Sequence, residues 1–371
     1  MSNSQLSFLQ RLRGLLPSTE RAANNRHHEI IQRINNLEVR FNKQFEEQDR
    51  QLQDRMKAFA EGNTTNTALT RLLLWELLRE KDESYTATKK RFFESLPKAT
   101  GSLRMLQLAN AKLLHDFKAF CNDNNLPFFL VAGTLLGAVR HKGTIPWDDD
   151  LDVGMLRSDI EKLIDAASQD ERFEVAINYD QWVICKQVRF RYSDESIPCF
   201  VDVFYFDFAP DLSDDNNAQF ERQRKALVKT VFELERSYIE DPNIVGDIDD
   251  FKLLSSTDPL SAPFEEAMTY AAESCLTANI TCRTPDNAQY LRWGIENILT
   301  GKAPNLRIDD VYPLSEVEFE GELYPAPNSP EAVLECWFGN WLDLPNSAVS
   351  PFVHTDISEN TVHSLKSFLE K

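Results

Sequence analysis

A chain of 371 residues, 42% hydrophobic and 27% charged, is long enough to bury one large core or two to three smaller ones. Its 40 Lys and Arg against 59 Asp and Glu leave a formal charge of −19, which argues against a general nucleic-acid binder, because counterion release needs a basic face. The longest apolar run, near residues 128–139, carries two glycines and is too short to span a bilayer, so no transmembrane segment is expected.

The first 25 residues read as a flexible arm without the continuous apolar stretch of a cleaved signal. Phe8, Leu9, Leu15 and Leu16 beside Arg11 and Arg13 suit weak peripheral association with a membrane surface. Residues 26–97 read as helical. Between His28 and Ala60 a near-heptad seam runs through Ile31, Ile34, Phe41, Phe45, Leu52 and Phe59, interrupted by Glu38, Gln48 and Arg55. This predicts an imperfect coiled coil, with homo-oligomerisation through residues 28–60 as its functional version and a solvated helix as its plain one. Gly62–Asn66 breaks the pattern, and a second helix carries Leu69, Leu72, Leu73, Leu77 and Leu78 before Pro97 ends it.

A domain spanning residues 100–345 follows, with a tail or helix over 346–371. Leu103–Asn122 has helical periodicity, Asn122–Asn125 a turn, and Pro127–Ala132 the pattern of a strand. A short helix then starts at Gly133, and a turn around Gly143 and Pro146 leads into an acidic strand. Further on come a helix at Ser158–Ala167 and strands at Phe173–Ile177, Trp182–Tyr192 and Pro198–Phe208. Helices are predicted at Gln219–Glu240 and Pro263–Thr277, with an acidic loop between them and more helix at Arg283–Thr300. The remainder mixes short β pieces with a helix at Pro330–Trp341. The six cysteines form no CxxC pair and lie mostly in apolar runs, which reads as reduced thiols and a cytoplasmic protein.

The chemistry concentrates in residues 128–153, FFLVAGTLLGAVRHKGTIPWDDDLDV. In an extended strand alternate residues share a face, so Asp148, Asp150 and Asp152 are expected together, with Asp149 left to the turn. Such oxygen-only sites suit Mg²⁺ or Mn²⁺. Asp202, one charge inside the apolar CFVDVFYF, is the expected third partner, because an isolated buried carboxylate is costly. Asp207 has the wrong parity and reads as the end of that strand. Gly133 and Thr134 open a helix directly after a strand, where backbone amides attract phosphate. Arg140, Lys142, Lys186 and Arg189 are the candidate phosphate-facing cations, and His141 between two of them reads as structural.

Together these features resemble the nucleotidyltransferase fold. More narrowly, AGTLLGAVRHKGTIPWDDDLDVGM is similar to the signature of the LicD family of phosphocholine transferases and fukutin-related glycan phosphotransferases. VDVFYFD resembles that family's second acidic strand, and DDVYPLSEVEFEGELYPAPNSPEAVLECWFGNWLDLP its C-terminal block, although Phe338 stands before Gly339 where Tyr is commoner. The resemblance covers about residues 100–345. It implies an α+β fold, a nucleotidyltransferase-like mixed sheet flanked by helices, preceded here by the helical region. It further implies that Asp150, Asp152 and Asp202 are catalytic and that Asp148, Asp150, Asp152 and Asp202 hold Mg²⁺ or Mn²⁺. The implied reaction moves a phosphorylated alcohol such as phosphocholine from a CDP-linked donor to a sugar hydroxyl. The acceptor would be a glycan or glycolipid such as lipopolysaccharide, teichoic acid or capsule, met at the inner face of the membrane. A nucleotidyltransferase adding NMP to a small molecule or protein, and a non-catalytic scaffold organised by the N-terminal helix, are the competing readings.

Overall fold

The computed structural model describes residues 68–180, 185–240, 253–297, 304–345 and 358–370. Contacts divide the chain into Met1–Leu78 and Arg79–Lys371. In the first unit residues 68–78 are helical, with Leu69, Leu72, Leu73 and Leu77 exposed. The arm over 1–25 and the heptad seam over 28–60 lie outside the described residues. The helix expected to run to Pro97 is interrupted, and a separate helix α1 spans Tyr85–Glu94. Its start is capped by Ser84, whose hydroxyl accepts from the Ala87 amide.

The second unit is built on an eight-stranded mixed sheet. Its strands are β1 (Phe129–Leu130), β2 (Asp152–Leu156), β3 (Phe173–Asp180), β4 (Cys185–Tyr192), β5 (Phe200–Ala209), β6 (Leu253–Ser255), β7 (Tyr290–Trp293) and β8 (Asn305–Arg307). The order is β1-β2-β5-β4-β3-β6, with β7 pairing the far half of β5 and β8 pairing β7. β2 and β5 run parallel, placing Asp152 opposite Asp202, while the other pairs are antiparallel. The mixed sheet flanked by helices matches the expected fold class.

Helix α2 (Gly101–Asp123) explains why one face of the sheet is dry. Leu106, Leu113, Leu114 and Phe117 recur at helical spacing and are fully buried. Phe117 meets Phe128 and Phe190 edge-on, each at 4.9 Å between ring centres. Phe117→Ala is expected to cost roughly 3–5 kcal/mol in urea unfolding, because no neighbour can fill the space of a ring. The C-terminal helix, Glu359–Leu369, lies on this layer, with Lys112 over the Phe368 ring at 4.4 Å and Phe368 against Tyr192.

Four expectations change. Residues 283–297 are not mainly helical: Tyr290–Trp293 is strand β7, because Leu291 enters the core between β5 and β8. The acidic stretch after Glu240 yields strand β6 rather than only loop. The helix before it begins at Asp214, with Asp214 and Asp215 in its first turn, where the helix dipole favours carboxylates. β5 continues to Ala209, so Asp207 does not end it.

Candidate active site

β1 passes into helix α3 (Ala132–His141) without a loop. Ala132 adopts φ 42°, a left-handed conformation that L-residues seldom take, and this turn aims the following amides back at the sheet. The Gly133 amide donates to Asp152 Oδ2 at 3.0 Å. The Thr134 hydroxyl, buried, accepts from the Asp152 amide at 2.7 Å. The expected phosphate-facing pair therefore grips the first residue of β2. Glycine is required here by proximity: a Cβ on Gly133 would sit 2.9 Å from Asp148 Oδ2 and 3.2 Å from Asp152 Oδ2. Gly133→Ala is expected to spread those carboxylates while sparing the backbone, which for a cation held by them would lower Mn²⁺ affinity by roughly tenfold or more in a titration.

Carboxylate oxygens of Asp150, Asp152 and Asp202 come within 4.8 Å of one another, and those of Asp148, Asp149 and Asp150 form an adjoining group. The parity argument holds only in part. β2 begins at Asp152, so Asp148–Leu151 is irregular and alternation cannot place Asp148 or Asp150. They reach the cluster through the loop, while Asp152 and Asp202 reach it through cross-strand register. Asp149, assigned to the turn, is itself buried beside them.

Burial drives the Asp152 carboxyl well above the ordinary range, and Asp150, Asp148 and Asp202 push it the same way against the Gly133 hydrogen bond. Asp202 has a cationic neighbour: Arg189 Nε lies 3.0 Å from its Oδ1, and the guanidinium rests on the Phe200 ring at 4.0 Å. Several acidic groups with only oxygen donors, crowded where they repel one another, fit a hard divalent cation.

The other candidate cations have separate partners. Arg140 is buried, donates to the Trp341 carbonyl at 3.0 Å and lies over Phe93; burial pulls its pKa down to about 10, opposed by Asp148. His141 Nδ1 donates to the Phe93 carbonyl, and burial, then Arg140, lowers its pKa to about 4. Lys142 is exposed at the helix end, 3.8 Å from Glu94. Lys186 pairs with Glu265 at 2.8 Å in a cavity of about 500 Å³ that none of the four acidic candidates lines. Of the named cations, Arg189 bonds to the cluster through Asp202, and Arg140 feels the charge of Asp148. Asp207 points to that same cavity, where Arg157 of the helix after β2 clamps it and Glu296.

One anchor of the loop escaped the sequence reading. Glu320, in the turn between β9 (Ser315–Phe319) and β10 (Glu322–Ala326), accepts from Arg104, Lys98 and the Thr144 amide. A Cβ on Gly143 would lie 2.6 Å from its carboxylate, so the turn before the acidic loop packs directly on this side chain.

Residues 125–241, which contain every carboxylate of the cluster, match the model described as LicD/FKTN/FKRP, nucleotidyltransferase domain. Over 121 residues, 29% of this chain and 46% of the relative, identity is 31% with lipopolysaccharide cholinephosphotransferase LicD of Haemophilus influenzae. Two uncharacterized Rickettsia proteins are also similar. RP689 of Rickettsia prowazekii is 39% identical over 77 residues, 20% of this chain and 29% of that one. RT0683 of Rickettsia typhi is 48% identical over 48 residues, 13% and 16% of the two chains. The chain thus spans less than half the length of these relatives. Among the described residues no helix is long and apolar enough to cross a membrane.

Proposed function

From the premise that the chain belongs to the LicD family through its nucleotidyltransferase domain, we propose that it is a metal-dependent glycan phosphotransferase. It moves a phosphorylated alcohol, phosphocholine or a relative, from a CDP-linked donor to a sugar hydroxyl of a glycan or glycolipid. The observation that carries this reading is the convergence of Asp150, Asp152 and Asp202 within 4.8 Å.

When bound, Mg²⁺ or Mn²⁺ supplies charge neutralisation to the donor diphosphate and polarises its phosphorus. Asp150 and Asp152 are the proposed principal ligands, with Asp148 beside them. Gly133 and Thr134 keep Asp152 in one orientation, so its carboxylate needs little rearrangement on binding. Asp202 takes the proton of the attacking sugar hydroxyl. The hydroxyl oxygen forms a bond to the phosphorus bearing the alcohol, the bridging P–O bond breaks, and CMP leaves. Arg189, held on one oxygen of Asp202, lies where it can also offset donor phosphate charge.

The test is CMP release from CDP-choline and a panel of CDP-alditols with Mg²⁺, with and without candidate acceptor glycans. Release that depends on Asp150 and Asp152 supports the proposal. Pyrophosphate release from an NTP would mean nucleotidyl transfer instead, and retained activity in Asp150→Asn with Asp152→Asn would remove the metal assignment.

A further inference from the structure

The acidic loop is irregular, contains mutually repelling carboxylates, and yet has a defined path. Two amides on helix α2 account for it. Gln107 and Asn110 are 1% and 3% exposed and lie among the fully buried Leu106, Ala109, Leu113 and Leu114. At such positions an apolar residue is the ordinary choice, since a buried amide loses hydration that it must recover in hydrogen bonds. Gln107 Nε2 donates to the Ile145 carbonyl at 3.2 Å and the Asp148 carbonyl at 2.9 Å. Asn110 Nδ2 donates to the Asp149 carbonyl at 2.9 Å. The Asn110 oxygen accepts nothing, although it is buried. Half of that amide is therefore unsatisfied, and its retained contribution is the donor to Asp149.

These three carbonyls belong to the segment that delivers Asp148 and Asp150. Between the Pro146 turn and the first residue of β2 the chain forms no strand, and Asp202 donates to the Leu151 carbonyl at 2.8 Å. Without the two amides, repulsion among the carboxylates would be relieved by movement of the loop, the only part of the cluster not fixed by sheet register. We propose that Gln107 and Asn110 are positioning residues of the metal site, holding the backbone at 145, 148 and 149 so that Asp148 and Asp150 stand against Asp152 and Asp202 before a cation arrives. This rests on the metal-dependent reading above. It deepens that reading by assigning the preformed state of the site to a helix that contributes no ligand.

Partners that orient metal ligands affect affinity by roughly 10–100-fold. The full chain would be titrated with Mn²⁺, following the free ion by electron paramagnetic resonance. The variants are Gln107→Met, which keeps the volume and removes the donor, and Asn110→Ala, which opens space rather than overfilling it. Either serves alone if the other does not fold. Leu106→Ala is the control, a buried truncation on the same helix turn with no bond to the loop. The expected result is Mn²⁺ binding weakened roughly tenfold or more in the amide variants and unchanged in Leu106→Ala, even where the control loses as much thermal stability. Wild-type affinity in the amide variants would overturn the proposal, as would an equal loss in the control. Absence of Mn²⁺ binding by the wild-type chain would sink the metal-dependent reading itself, and this proposal with it.

Discussion

On the proposed function, Asp152→Asn is expected to abolish phosphotransfer and, in metal-free buffer, to make the protein more stable. In the folded chain this carboxyl is buried, and Asp150, Asp148 and Asp202 all oppose its ionisation. Asparagine removes the charge at nearly constant volume. Its side-chain oxygen can still accept from the Gly133 amide, and the backbone N–H of residue 152 can still donate to the Thr134 hydroxyl, so the strand-to-helix junction keeps its contacts. The relieved repulsion is expected to raise the melting temperature by about 2–4 °C, the equivalent of roughly 1 kcal/mol for a domain of this size. Loss of a proposed principal ligand would remove several kcal/mol of charge stabilisation, or roughly a 10³-fold fall in rate. The two effects cross when Mn²⁺ is added. A ligand at 100 times its dissociation constant stabilises the wild type by about 2.7 kcal/mol through mass action, and the variant by little or nothing. Melting curves with and without Mn²⁺ should therefore reverse in order. Equal Mn²⁺ stabilisation of both proteins would show that the cluster does not bind the ion.

Which parts of this site could be read from residues alone follows from the range of the forces involved. Asp202 was legible because a lone charge in FVDVFYF conflicts with its surroundings, and such a conflict needs a partner. Asp152 was legible because Leu151 and Val153 bracket it with core residues. Asp148 and Asp150 were named as ligands for a reason the structure does not share: alternation presupposes a strand, and the strand starts at Asp152. Arg140 shows the opposite failure. Its charge and position suggest phosphate, but its side chain ends on the Trp341 carbonyl about two hundred residues away, a contact no local pattern announces. Asp207 likewise looked like a strand terminus until Arg157 and Glu296 were seen to surround it. Gln107 and Asn110 did leave a signal, since they are polar residues on the apolar stripe of α2. Reading it required knowing which loop lay opposite. Periodicity decides which face a residue takes, whereas the partner on that face is decided by topology.

Glu320→Gln is expected to destabilise the domain by about 2–3 kcal/mol at neutral pH, with a pH dependence that identifies the cause. The carboxylate is largely buried, with a side-chain exposure of 8%. Burial pushes its pKa up, but hydrogen bonds from Arg104, Lys98 and the Thr144 amide outweigh it and bring the value down to about 2 from 4.5. Converted at 1.36 kcal/mol per tenfold change, that difference corresponds to roughly 3 kcal/mol, an upper figure because Lys98 is 55% exposed and screened. A group whose pKa is lowered by folding contributes stability that is complete above its unfolded value and disappears as pH falls through the folded one. The wild type should therefore exceed Glu320→Gln by a constant margin from about pH 6 upward. The margin should shrink to roughly 1 kcal/mol by pH 3 and vanish below about pH 2. Urea unfolding at pH 7, 5 and 3 measures it directly. A margin independent of pH would mean that the glutamine fails through packing against Gly143 rather than through lost charge. The same side chain fixes the Thr144 amide at 3.1 Å, immediately before the segment that Gln107 and Asn110 hold. The hairpin thus restrains the acidic loop at its entry, α2 along its length, and the sheet register at its exit.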